Sequence, residues 1–164
     1  MNEPSHQHTS ALTSLETVPL LLKNFPSDDL RHFLAIGHTE HYQKQDVIIM
    51  DDNTPANSAY LVVEGKVSVW KDDMHLATLN AGDFIGETFL FTRGLRSASV
   101  VAEDTCSLLR FDRQDTLDYF RRKPERLFKI FIMNIVEIQQ KKIVNMNQKL
   151  ISIQRRLLQK DQAG

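Results

Sequence analysis

The spacing of hydrophobic residues changes twice along this chain, dividing it into three stretches. In the first, Leu15, Val18, Leu21 and Leu22 recur at helical intervals. After a break at Phe25-Pro26, Ser27-Asp28-Asp29 reads as a helix start, with a capping hydroxyl and two acids where the helix dipole favours negative charge. Leu30, Phe33, Leu34 and Ile36 form the apolar face of that helix, and Gly37 is expected to end it. From Gln45 the pattern shortens to that of strands. Val47–Ile49, Ala59–Val63, Lys66–Trp70, His75–Leu79, Ser97–Ala102 and Thr105–Phe111 are rich in β-branched and aromatic residues, and turn formers such as Asp51–Pro55, Glu64-Gly65 and Asp72-Asp73 separate them. Many short strands at close spacing predict a sandwich or barrel rather than a parallel sheet.

After Asp112 the helical period returns. A short helix around Gln114–Arg121 is stopped by Pro124, which suits the first turn of the next helix. From Glu125 to Lys160 there is neither Gly nor Pro, which predicts a single helix of roughly 50 Å. Its first half (Leu127, Phe128, Ile130, Phe131, Ile132, Ile135, Val136, Ile138) is apolar nearly all round and should be buried against the barrel or a partner. In its second half Ile143, Met146, Leu150, Ile153 and Leu157 alternate three and four apart, the spacing of a two-helix seam. The helix is longer than a compact barrel, so pairing of two copies is expected ahead of lengthwise packing on its own barrel. The predicted organisation is a polar, disordered tail over 1–14, a β-barrel with N-terminal helices over 15–123, and a dimerisation helix over 124–160.

The 164 residues suffice for one ordinary domain, with 41% hydrophobic and 25% charged residues. A formal net charge of −1 gives no global basic field for nucleic acid. The single cysteine, Cys106, excludes an internal disulfide and a cysteine-only metal cage. Met1–Ser14 has neither the basic start nor the apolar stretch of a secretory signal, and short apolar runs such as Phe131-Ile132-Met133 fall far short of a membrane span, so a cytoplasmic protein is expected. His6 and His8 lack a third ligand and read as tail residues rather than a metal site.

Candidate chemistry concentrates between Leu79 and Val100. Gly86 permits close backbone approach before a helix-capable run, Glu87–Thr92, whose free N–H groups would suit an anion. Ten residues beyond Gly86 stands Arg96, able to clamp a phosphate in bidentate fashion, followed by the hydroxyl of Ser97. Glu87 is an acceptor suited to a sugar hydroxyl, and small Ala98 and Ser99 let the next strand run on. A phosphate clamp beside a sugar acceptor suggests a nucleotide. The bland alternative is a Glu87–Arg96 ion pair with Gly86 and Gly94 as turn residues.

Gly82-Asp83-Phe84, Gly86-Glu87 and Arg96-Ser97-Ala98-Ser99-Val100, with Tyr60–Gly65 upstream, together resemble the phosphate-binding cassette of cyclic-nucleotide-binding domains, and the similarity runs from about Phe25 to Ile143. The resemblance implies an α+β fold: a double-stranded β-helix (jelly-roll) barrel flanked by N-terminal helices and a long C-terminal helix. It implies ligand contacts from Gly86, Glu87, Thr88, Phe89, Arg96, Ser97 and Ala98, with Glu87 on the ribose 2′-hydroxyl and Arg96 on the cyclic phosphate. Gln139, Lys141 and Lys142 lie near where such domains cap the base, with Gln139 and Lys142 taken as contacts. The implied ligand is cAMP, then cGMP, with no metal, in a non-enzymatic sensor that signals to a partner protein. A ligand-free dimeric scaffold and a cyclic di-GMP receptor are the alternatives. Phe89, Leu95 and Asn53 depart from the family, which usually has a small residue, a proline and a glycine at these places; Asn tolerates the left-handed conformation in place of Gly.

Other chemistries find less support. His38-Thr39-Glu40-His41 is not an H-E-x-x-H arrangement and reads as an exposed polar patch at a helix end. Cys106 has no activating His beside it and reads as buried packing, and Trp70 as barrel core or rim. Only four residues follow Lys160, so no DNA-reading helix-turn-helix is expected, and the basic residues from Lys141 to Lys160 read as a solvated helix face.

Overall fold

A computed structural model describes residues 15–162. The expected tail and its His6–His8 pair lie outside the described residues. A 3-10 turn, Leu20–Leu22, and helix α1, Ser27–Ala35, precede eight strands: β1 His38–Tyr42, β2 Val47–Ile49, β3 Ser58–Glu64, β4 Lys66–Lys71, β5 Met74–Asn80, β6 Phe84–Ile85, β7 Ser99–Ala102 and β8 Cys106–Asp112. Helices α2, Arg113–Arg121, and α3, Glu125–Gln162, complete the chain.

The strands form two four-stranded antiparallel sheets, ordered β1-β8-β3-β6 and β2-β7-β4-β5, in a jelly-roll arrangement. Because successive side chains in a strand point to opposite faces, β3 and β8 serve two cores at once. Ala59, Leu61, Val63, Leu109 and Phe111 pack against the helices, whereas Tyr60, Val62, Cys106 and Leu108 face Ile49, Val67, Val100 and Ala102 of the other sheet. The layers therefore run helices, first sheet, second sheet. A strand buried on both faces reads as the continuous apolar run seen at Ala59–Val63.

Phe33 of α1 ties the helical layer together. Its ring lies 5.0 Å from that of Phe111, 5.4 Å from Tyr119, 5.8 Å from Phe120 and 5.6 Å from Phe131. Asn134, buried in α3, donates to the carbonyls of Leu21 (2.9 Å) and Lys23 (2.8 Å), fastening the helix to the N-terminal turn.

Several expectations need correction. Leu15–Val18 is not helical; only Leu20–Leu22 winds, directly after Pro19. Pro26, not Ser27, occupies the cap of α1, and Ser27 makes no capping bond. The helix closes at Ala35 with Ile36 as its cap, so Ile36 lies just outside it, while Gly37 follows directly where the helix was expected to stop, its N–H bonded to Leu34 O at 3.1 Å. His38–His41 is not a helix end but part of β1, paired to β8. Among the described residues α3 runs to Gln162, and from Lys141 onward every one of its residues is exposed, which rules out lengthwise packing on its own barrel.

Candidate functional site

The segment from Gly86 to Arg96 leaves β6 and crosses back to β7 without regular structure. Gly86–Thr92 is a run of turns rather than the expected short helix: Phe89 N–H donates to Gly86 O (3.0 Å), and Phe91 and Thr92 N–H both donate to Thr88 O (2.8 and 2.9 Å). Thr88 and Thr92 hydroxyls lie 2.8 Å apart and close the turn from the side-chain direction.

Gly86 is required twice over. Its φ of +69° disfavours any side chain, and a Cβ there would collide with the Arg96 guanidinium. The guanidinium therefore lies against the bare glycine backbone. Arg96 is only 8% exposed and donates from Nη2 to the Ser58 carbonyl and, at 3.2 Å, to the Ser58 hydroxyl. Its Nε–H is buried with no partner. Burial pushes the Arg96 pKa down, the Tyr60 side chain opposes that shift, and the neighbouring Arg113 cation adds to it. Backbone bonds from Arg96 N–H to Thr54 O (2.8 Å) and from Asp52 N–H to Arg96 O (3.1 Å) fix its place against the Asp51–Pro55 loop. In that loop the left-handed residue is Asp52 (φ 55°), not Asn53.

Glu87, 2% exposed, does not pair with Arg96. Its Oε1 accepts from Gln139 Nε2 at 2.7 Å and from Lys142 Nζ, both on α3. Lys141 turns away to Glu137, 3.1 Å distant. The expected contacts thus form two groups, Gly86 with Arg96 and Glu87 with Gln139 and Lys142. Ser97 is exposed, Ala98 and Thr88 are half-buried, and the Phe89 ring joins the helical core at 1% exposure. The bulky residue therefore faces away from the Gly86–Arg96 contact.

Sequence reasoning missed Arg113. Its guanidinium donates to Phe89 O (2.6 Å), Ala56 O (2.9 Å) and Thr92 O. Among the described residues neither Arg96 nor Arg113 has a carboxylate partner, so two cations flank this segment with only carbonyl and hydroxyl oxygens around them. Ser58 was also missed. Backbone carbonyls leave no mark in a sequence, and nothing else signalled these partners.

Elsewhere, burial pushes the Cys106 thiol up, and its Sγ lies 3.0 Å from Lys66 O, an inert packed position. His38 sits 3.5 Å from Asp115 and 3.8 Å from Asp112 in an exposed cluster at the start of α2. The α3 stripe lies open: Met146 is 67% and Leu157 57% exposed. Among the described residues no helix is long and apolar enough to cross a membrane.

Residues 39–123 match the family model described as "Cyclic nucleotide-binding domain". Human cGMP-dependent protein kinase 2 is 32% identical over 101 residues, 57% of this chain and 13% of that kinase. The cAMP-activated global transcriptional regulator CRP of Salmonella typhimurium is 33% identical over 107 residues, 62% of this chain and 50% of that protein. The chain thus spans half or less of these relatives. The crystal structure of Thermus thermophilus catabolite activator protein superposes with a TM-score of 0.69 at 24% identity, over 80% of this chain and 61% of that one.

Proposed function

Because the chain belongs to the cyclic nucleotide-binding domain family, we propose that it is a cyclic-nucleotide sensor, for cAMP first and cGMP second, that passes ligand binding through α3 to a partner protein. The carrying observation is Arg96, a buried guanidinium with no carboxylate partner among the described residues and one unpartnered N–H, laid against the bare backbone of Gly86. A buried cation is costly unless an anion compensates it, and a cyclic phosphate is the anion this family model suggests. In this reading Arg96 holds the phosphate, with Ser97, Ala98 and the Gly86–Phe89 backbone around it, and Glu87 receives the ribose hydroxyl. Residues 15–123 form the sensing unit and 124–160 the output helix. The role is regulatory, without catalysis.

The Glu87 carboxylate supplies the link to α3. Gln139 and Lys142 already bond to it, so a ribose hydroxyl must share or displace them. Ligand binding and the position of α3 are then coupled through one carboxylate. The coupling can be no larger than the difference in ligand affinity between the two helix positions. Ile143, Met146, Leu150, Ile153 and Leu157, exposed along one seam, would pair with the same seam of a second copy.

The satisfied state of Glu87 also favours a second reading, a dimeric scaffold that keeps the fold and needs no ligand. Calorimetric titration with cAMP, cGMP and cyclic di-GMP, alongside Arg96→Ala, separates the two. Binding that weakens by about 10- to 150-fold in the variant, the worth of roughly 1.5–3 kcal/mol for a charged hydrogen bond, supports the sensor and names its base. Preference for cyclic di-GMP would reassign the ligand. No binding of any of the three by the unsubstituted protein would leave the scaffold.

A further inference from the structure

The turn run Gly86–Thr92 has no sheet or helix ladder to hold its shape, and a phosphate site made of backbone groups depends on that shape. Of its carbonyls, Gly86 and Thr88 accept from within the segment, whereas those of Phe89 and Thr92 turn to Arg113, which also takes the Ala56 carbonyl. The planar guanidinium presents its donors in a rigid fork, so it can span three acceptors whose separation it then sets. Each peptide unit is planar. Fixing the Phe89 and Thr92 carbonyls therefore also fixes the direction of the Leu90 and Arg93 N–H groups on the opposite side.

We infer that Arg113 is the positioning residue of this cassette: its fork holds Phe89, Thr92 and Ala56 in the arrangement that receives the anion, and it fastens that arrangement to α2. Arg113 is the first residue of α2, and its own N–H donates to Asn57 O at 2.9 Å. The other end of α2 leads through Arg122, Lys123 and Pro124 into α3. A displacement of the Phe89 and Thr92 carbonyls is passed to the start of α2 by this side chain. It touches no ligand in this scheme and acts through the backbone it holds.

Two substitutions distinguish a fork from a mere charge: Arg113→Lys keeps the cation and loses the fork, and Arg113→Gln keeps donors and loses the charge. The first measurement is hydrogen exchange of the Gly86–Arg93 amides in nucleotide-free protein, with the β3 and β8 amides as internal controls. Both variants are expected to exchange at least about tenfold faster in the cassette while β3 and β8 stay protected. The second is affinity for whichever nucleotide the unsubstituted protein binds, which rests on the sensor reading. A loss of tenfold or more is expected in both variants, together with loss of any nucleotide-induced protection change at Arg122–Glu125. Recovery of cassette protection and affinity by Arg113→Lys would overturn the fork and leave a point charge. Unchanged exchange in Arg113→Gln would overturn the role altogether. Should the unsubstituted protein bind no nucleotide, the sensor reading fails while the exchange measurement still decides the role of Arg113.

Discussion

The two halves of α3 share one backbone and almost nothing else. Up to about residue 140 the helix buries Leu127, Phe131, Asn134 and Ile135 against the N-terminal turn, α1 and α2. Beyond it, Ile143, Met146, Leu150, Ile153 and Leu157 are all more than half exposed. The first half is held by tertiary contacts, and the second by local helix propensity alone. An isolated helix of about 20 residues is marginal in water. The free half lacks the tertiary contacts that hold the bound half, and Gln139, Lys142 and Glu87 sit at the join between them.

The most severe way to break the bound half is Phe131→Ala, which should cost about 3–5 kcal/mol in urea unfolding because it empties the centre of the aromatic cluster; Met146→Ala, on the free half, should cost well under 1 kcal/mol. Asn134→Ala should cost about 1–3 kcal/mol by the same assay, since it strips the carbonyls of Leu21 and Lys23 of their donor. Leu150→Asp should leave the unfolding midpoint of the domain in place and weaken self-association by about tenfold or more in sedimentation velocity, roughly 1.4 kcal/mol. If the protein sediments as a monomer before and after, the seam does not pair copies. At the join, Lys142→Ala should raise nucleotide affinity a few-fold by calorimetry, and a clear loss would mean that the lysine contacts the ligand instead of competing with it.

The smallest effect lies away from α3, in the loop that positions Arg96. The carboxyl of Asp51 is held below the usual range by hydrogen bonds from Lys71 and Ser99. A folded-state pKa depressed in this way gives stability that is present above the ordinary carboxylate value and lost as pH falls through the folded one. Asp51→Asn should therefore lower stability slightly near neutrality and converge with the unsubstituted protein at low pH, flattening the acid side of the profile.

The strand pattern was legible because β3 carries a long apolar run, β8 sets Leu108, Leu109 and Phe111 among polar residues, and β4 alternates beside clear turn residues. β1, whose residues are His38-Thr39-Glu40-His41-Tyr42, was not: an edge strand paired only to β8 keeps polar side chains and carries no apolar period. β6 has two residues, too few for any period. At the site, Gly86, Glu87 and Arg96 stood out as a glycine, a carboxylate and a cation close together in sequence; the structure brings Gly86 to Arg96, and Glu87 to the Gln139 and Lys142 that the sequence had placed only as contacts to a base. Arg113 was not readable, since its partners are carbonyls that any residue would supply. Asn134 had a signal that went unused, a lone amide inside the apolar run Leu127–Ile138.

Because α3 is clasped over only its first part, its remainder would act as a lever wherever pairing keeps it helical. The free arm, from Lys141 to Gln162, is about 33 Å long at 1.5 Å per residue. A tilt of only ~10° at the join would swing its tip sideways by about 6 Å. In the proposed sensor, a sub-ångström adjustment around Glu87 would thus reappear at the far end as a sideways displacement many times larger. The gain of such a sensor would be set by helix length, so shortening or extending the arm should rescale the output without any change at the cassette.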